Sequence, residues 1–189
     1  MSQKLTEGFV CSNLSDNFEG LSFKKIPISS VEENSVKVSI KAASLNFPDL
    51  LMTQGKYQNK PKLPFALGME GAGIVSEVGS QSCTFKEGDE VMFGSWGHGA
   101  IAKEIVLPES MLSQKPKSFS FEEAAAFKTV YLTAFVGLIR RGNLVEGENL
   151  LVHGATGGVG MAAVELGKLY GARAVSYTHL RAHETSLQL

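Results

Sequence analysis

Two cysteines in 189 residues, Cys11 and Cys83, are too few for a disulfide framework. Each reads as a small buried hydrophobe in a chain suited to a reducing compartment. Met1 to Gly8 contain no apolar h-region, which argues against a signal peptide, and an acid without an arginine among them argues against a transit peptide. No uninterrupted apolar stretch approaches the length of a bilayer span. The expectation is a cytoplasmic protein with no membrane partner. Charge of one sign is lacking too: 18 basic residues face 19 acidic ones, and no block of like charge offers a footprint for nucleic acid. Small molecules are the expected partners, and RNA binding is left without support. Internal repeats and low-complexity segments are also missing.

Glycine, in contrast, is placed with purpose. Between the apolar run Leu150 to His153 and the apolar-periodic stretch Met161 to Tyr170 lie Gly154, Ala155, Thr156, Gly157, Gly158, Val159 and Gly160. This order reads as a strand, a glycine turn and a helix start. Glycines there let backbone pass close to a pyrophosphate, and the free N–H groups and positive dipole end of the helix face the anion. The form departs from G-x-G-x-x-G, because Ala155 takes the first glycine place while Gly157 and Gly160 keep the other two. Gly171 is the expected helix cap, and Gly171 to Val175 the start of a second strand, which makes a βαβ unit.

Beyond Val175 the expected buried strand does not continue. Ser176 to Thr185 resembles the peptide read from a sequencing adaptor translated in frame, so residues 176–189 are expected to be non-native. His179 and His183 stand at i,i+4 spacing but lack a third ligand, and no metal site is expected there. Earlier in the chain, short strands punctuated by glycine and proline are predicted at Val36 to Lys41, Gly73 to Gly79, Gly88 to Phe93 and Ile101 to Leu107. Ser120 then reads as an N-cap with acids in the first turn of an alanine-rich helix. A second helix is expected from about Leu132 to Arg141, stopped by Gly142.

The segment Asn46 to Tyr57 combines an amide, a carboxylate and a phenol in an otherwise apolar region, which suggests the wall of a polar pocket. Pro48 suits a first helical turn, so a capping role for Asn46 stands beside a ligand-binding one. Tyr57 either touches a ligand or packs with its hydroxyl at the surface.

Several ordered motifs together resemble the medium-chain dehydrogenase/reductase superfamily, in its zinc-free quinone oxidoreductase branch to which zeta-crystallin belongs. They are Asn46 to Asp49, Gln54 to Tyr57, Pro64 to Gly73, Gly88 to Val91, Tyr131 to Ala134, and His153 to Gly160. The resemblance implies an α/β fold with a β-rich part: a GroES-like β-barrel catalytic domain over residues 1–120, followed by the start of a Rossmann domain over 121–175. Zinc-dependent members carry Gly-His-Glu where this chain has Gly68, Met69 and Glu70, and a thioether is a poor zinc ligand beside imidazole. No metal is therefore expected. The resemblance further implies that Asn46 and Tyr57 line the nicotinamide pocket and that Thr133 lies beside the nicotinamide end of the cofactor. Gly154, Gly157, Gly158, Val159 and Gly160 form the pyrophosphate turn. Tyr57 and Asn46 are the candidate catalytic groups, Tyr57 as a proton donor. A Thr133 hydroxyl bonded to its own i−4 carbonyl is the competing reading. NADPH is the implied cofactor, a quinone or enone the implied acceptor, and a homodimer the implied full-length state. Enoyl-thioester reduction, or a non-catalytic binding role, is the alternative.

Overall fold

The computed structural model describes residues 4–82, 84–95 and 99–177, with Tyr177 described by its backbone. Cys83 and residues 178–189, including His179 and His183, lie outside the described residues. The chain divides into two compact units between Lys128 and Thr129.

The first unit holds two antiparallel sheets. One contains β1 (Leu5–Cys11), β2 (Leu21–Pro27) and β4 (Phe65–Ala66) in the order β2-β1-β4. The other contains β3 (Ser35–Ser44), β5 (Glu70–Val78), β6 (Glu90–Gly94), β7 (Glu104–Pro108) and β8 (Leu112–Gln114) in the order β7-β3-β5-β6-β8. Alternation along β3 and β6 sends Val36, Val38, Val91 and Phe93 inward, all fully buried. The predicted strands contain all of these residues. The strand expected over Ile101 to Leu107 is split instead. Phe9 N–H reaches Ile101 O and Ile101 N–H reaches Leu67 O, so the first residues bind the smaller sheet, and only Glu104–Pro108 pairs with β3.

Helix α1 (Phe47–Thr53) follows β3, and α2 (Phe121–Ala125) follows β8. The expected cap at Ser120 is a full capping box: Glu123 N–H donates to Ser120 Oγ at 3.1 Å, and Ser120 N–H to Glu123 Oε2 at 2.7 Å. Ala124 and Ala125 bury against Ala72 on β5, which is why α2 sides with the first unit. Lys115, with its side chain 5% exposed, pairs with Glu90 at 3.0 Å and fixes the entry to α2.

In the second unit, α3 (Lys128–Phe135, whose first residue belongs to unit one) runs into a π-helical turn, Val136–Arg141. The helix begins four residues before the expected start. It widens because Gly142 N–H bonds to Gly137 O, five residues back. Strands β9 (Asn149–His153) and β10 (Arg173–Tyr177) are parallel and joined by α4 (Gly158–Leu169), the expected βαβ unit. The strand does not stop at Val175: Ser176 and Tyr177 pair with Val152 and His153. A parallel ladder is built from backbone groups, which serine and tyrosine supply as well as alanine and valine do. Among the described residues no helix is long and apolar enough to cross a membrane.

Candidate functional site

In the first unit the site grows from the end of β3, the start of α1 and the start of β5. Asn46 has extended backbone and precedes Phe47 and Pro48, so it is the N-cap of α1. Its backbone N–H donates to Asp49 Oδ2 at 2.9 Å, and its side-chain Nδ2 donates to Ser44 Oγ at 3.0 Å and to Glu70 Oε1 at 2.9 Å. Ser44 Oγ–H in turn donates to the same Glu70 oxygen at 2.6 Å. The capping and pocket-wall readings of Asn46 are thus compatible, because Asn46 and Asp49 form a capping box at the start of α1 while Nδ2 joins a polar triangle.

Asp49 and Glu70 are each only 1% exposed. Burial pushes the Asp49 carboxyl above its usual range. Hydrogen bonds from the Asn46 and Gly68 backbone pull the other way, and the Glu70 charge adds to the rise. Gly68 could not be another residue. Its φ is 107°, and an added Cβ would lie 2.5 Å from Ile101 N and 2.7 Å from Ile101 Cγ1. Directly after it, Met69 is buried among Cys11, Met52, Phe65 and Leu67, with Tyr57 packed against the cluster. Tyr57 stands four residues past the end of α1, a helix that rises about 10 Å, so Asn46 and Tyr57 flank opposite ends of one element. Among the described residues the Tyr57 hydroxyl takes no hydrogen-bond partner. Lys128, half-buried, donates from Nζ to Met111 O at 3.1 Å. Burial lowers its ammonium below the lysine range, and the Glu70 charge offsets part of that shift.

In the second unit, Gly154 takes a φ of 69° at the end of β9 and Gly157 N–H closes the turn on Gly154 O at 3.0 Å. Gly157 is the N-cap of α4, a helix of 12 residues. The first N–H groups of that helix, from Gly158, Val159 and Gly160, have no intrahelical acceptor, and Gly158 and Val159 are exposed. Gly160 packs so tightly that an added Cβ would lie 2.8 Å from Ala155 Cα and closer still to Gly154 O. The turn is therefore bare backbone against a helix N-terminus, which fits a dinucleotide pyrophosphate. Thr133 Oγ1 donates to Thr129 O at 2.6 Å, the local i−4 bond. Its proton is engaged, and its lone pairs remain for a ligand.

Residues 32–117 match the family model of the alcohol dehydrogenase GroES-like domain. The chain is 41% identical over 143 residues to quinone oxidoreductase-like protein 2 homolog from Nematostella vectensis, spanning 75% of this chain and 39% of that protein. The chain belongs to the medium-chain dehydrogenase/reductase superfamily. It is also 43% identical over 135 residues to the synaptic vesicle membrane protein VAT-1 homolog of Rattus norvegicus, over 69% of this chain and 32% of that one. Among solved structures, the quinone oxidoreductase from Thermus thermophilus, whose complex with NADPH is also known, superposes with a TM-score of 0.80 at 31% identity, over 94% of this chain and 55% of that chain. The CurK enoyl reductase gives 0.83 at 28%, over 98% and 57%. The chain thus spans about a third to two fifths of the two relatives and somewhat over half of the two solved chains. As in this superfamily generally, the fold is α/β with a β-rich part that carries the GroES-like domain.

The sequence motifs pointed at Asn46, Tyr57 and the glycine turn, but not at Ser44 or Lys128. Glu70 carried a readable signal: a carboxylate at the head of the otherwise buried run Glu70 to Gly73 needs a partner.

Proposed function

We propose that the protein containing this chain is a cytoplasmic, zinc-independent oxidoreductase that uses NADPH to reduce a quinone or an α,β-unsaturated carbonyl. The observation that carries this reading is the setting of Met69. It stands where zinc-dependent members place a ligating histidine, and here it packs in an apolar cluster. Activation of the acceptor then falls to hydrogen bonding. Among the described residues no three histidine, cysteine, aspartate or glutamate side chains converge.

When bound, NADPH supplies a hydride from its nicotinamide. Backbone N–H groups of Gly158, Val159 and Gly160 hold the pyrophosphate, with Gly154 and Gly157 shaping the turn. Thr133 accepts a hydrogen bond from the nicotinamide end, since its own proton is committed. The apolar cluster around Met69 excludes water, which strengthens every polar contact beside it. Asn46 orients the reactants from the polar triangle, and Tyr57 donates its hydroxyl proton to the oxygen that gains charge, recovering it from solvent. The first unit serves as the catalytic domain and the second opens the nucleotide-binding domain. A homodimer is the proposed assembly.

The test is oxidation of NADPH by the full-length protein against quinones and enones, with and without a metal chelator. Turnover that survives chelation supports the proposal, and no turnover with any such acceptor refutes it. The likeness to the CurK enoyl reductase favours enoyl-thioester reduction as the second reading. A strong preference for a conjugated thioester over its free enone separates the two.

A further inference from the structure

Glu70 is the feature of the first unit that the fold alone does not explain. A carboxylate buried to 1% exposure is costly unless charge-assisted hydrogen bonds meet it. Two are present. Ser44 Oγ and Asn46 Nδ2 converge on Oε1 at 2.6 and 2.9 Å, and Nδ2 lies 3.0 Å from Ser44 Oγ. The three atoms close a triangle. Its two acceptors sit too near each other to take separate N–H bonds of a planar amide, whose N–H bonds diverge. One N–H of Asn46 is therefore shared between them. The other N–H is kept for a ligand, while the side-chain oxygen faces the Asp49 backbone N–H in the capping box.

We propose that Glu70 is a positioning residue: its buried carboxylate, held by Ser44, locks the Asn46 amide so that its remaining N–H faces the reactants. This rests on the reading that Asn46 lines the nicotinamide pocket. A packing role for Glu70 would need only its volume, whereas the positioning role needs its negative charge. Glutamine keeps the shape of Glu70 and an acceptor oxygen but discards the charge.

The first experiment follows the side-chain amide resonances of Asn46 in the full-length protein, assigned by their loss in Asn46→Asp. Positioning predicts that one amide proton is held downfield by the carboxylate, and that Glu70→Gln shifts it and quickens its exchange with water while the backbone spectrum persists. An Asn46 amide unmoved by Glu70→Gln overturns the proposal. The second is kinetic. Glu70→Gln is expected to lower kcat/KM by roughly tenfold, because the amide loses its fixed orientation. An unchanged kcat/KM overturns the proposal. Should the wild-type protein turn over no acceptor, the functional reading fails, and the amide spectrum still decides whether Glu70 positions Asn46.

Discussion

Replacing Gly160 by alanine sets two effects against each other. Alanine is favoured over glycine inside a helix by about 1 kcal/mol, and Gly160 is the third residue of α4. Against that gain, the new methyl would stand 2.8 Å from Ala155 Cα and nearer still to Gly154 O. Overpacking costs about 1–3 kcal/mol. The atoms in the way belong to backbone, which cannot swing aside as a side chain can, so the upper part of that range applies and the loss wins by about 1–2 kcal/mol. Thermal unfolding of the second unit, followed through the α4 helix signal, should show a midpoint lowered by about 4–8 °C for each kcal/mol. Gly157→Ala is the control. Its Cβ would meet only Gly154 O, at the ordinary distance of 3.5 Å, so stability should stay within about 0.5 kcal/mol of wild type. Affinity of the full-length protein for NADPH should nonetheless fall, since the methyl occupies the approach of the pyrophosphate. A Gly160→Ala chain as stable as wild type would refute the packing argument.

Ser120→Ala removes the side-chain half of the α2 capping box and should cost about 1 kcal/mol in urea unfolding. Phe93→Ala empties a fully buried site between β5 and β8 and should cost about 3–5 kcal/mol, with loss of soluble chain as the coarser readout. For Asp49 the sign follows from its raised carboxyl. Above the usual aspartate range the folded chain still holds a proton that the unfolded chain has lost. Stability therefore falls as pH rises from the ordinary aspartate value through the raised folded one. Urea midpoints measured across that window should decline in wild type, and Asp49→Asn should flatten the decline.

The elements most legible in the sequence are those whose signal is local. Ser120 followed by Glu123 is a cap readable from three-residue spacing, and the strict alternation of β3 survives into the fold with Val36 and Val38 at zero exposure. The glycine turn is legible for the same reason, since a strand, a turn and a helix in sequence order already define it. β2 was not foreseen: only its end residues Leu21 and Ile26 are partly buried, so Ser22 to Lys25 carry no core-facing pattern, and its pairing with β1 is set from a distance. The split of the strand after Ile101 was hidden likewise, because its hydrogen bonds go to Phe9 and Leu67, far away in sequence. The candidate site shows the same division. Asn46 and Tyr57 are visible in one short segment, whereas Ser44 and Glu70 meet only when β3 and β5 are brought together.

Gly68 links these observations. Its left-handed backbone and the close approach of Ile101 admit no side chain, and the chain leaves it directly into Met69 and then β5. Successive residues of an extended chain point to opposite sides. Met69 accordingly enters the apolar cluster, and Glu70 turns the other way, to Ser44 and Asn46. Apolar packing on one side deprives the other of water, so the Glu70 charge must be met by protein groups. The amide of Asn46 is one of them, and meeting that charge restrains it. The apolar cluster around Met69 and the polar triangle around Glu70 are thus set on opposite sides of the chain by a single backbone constraint.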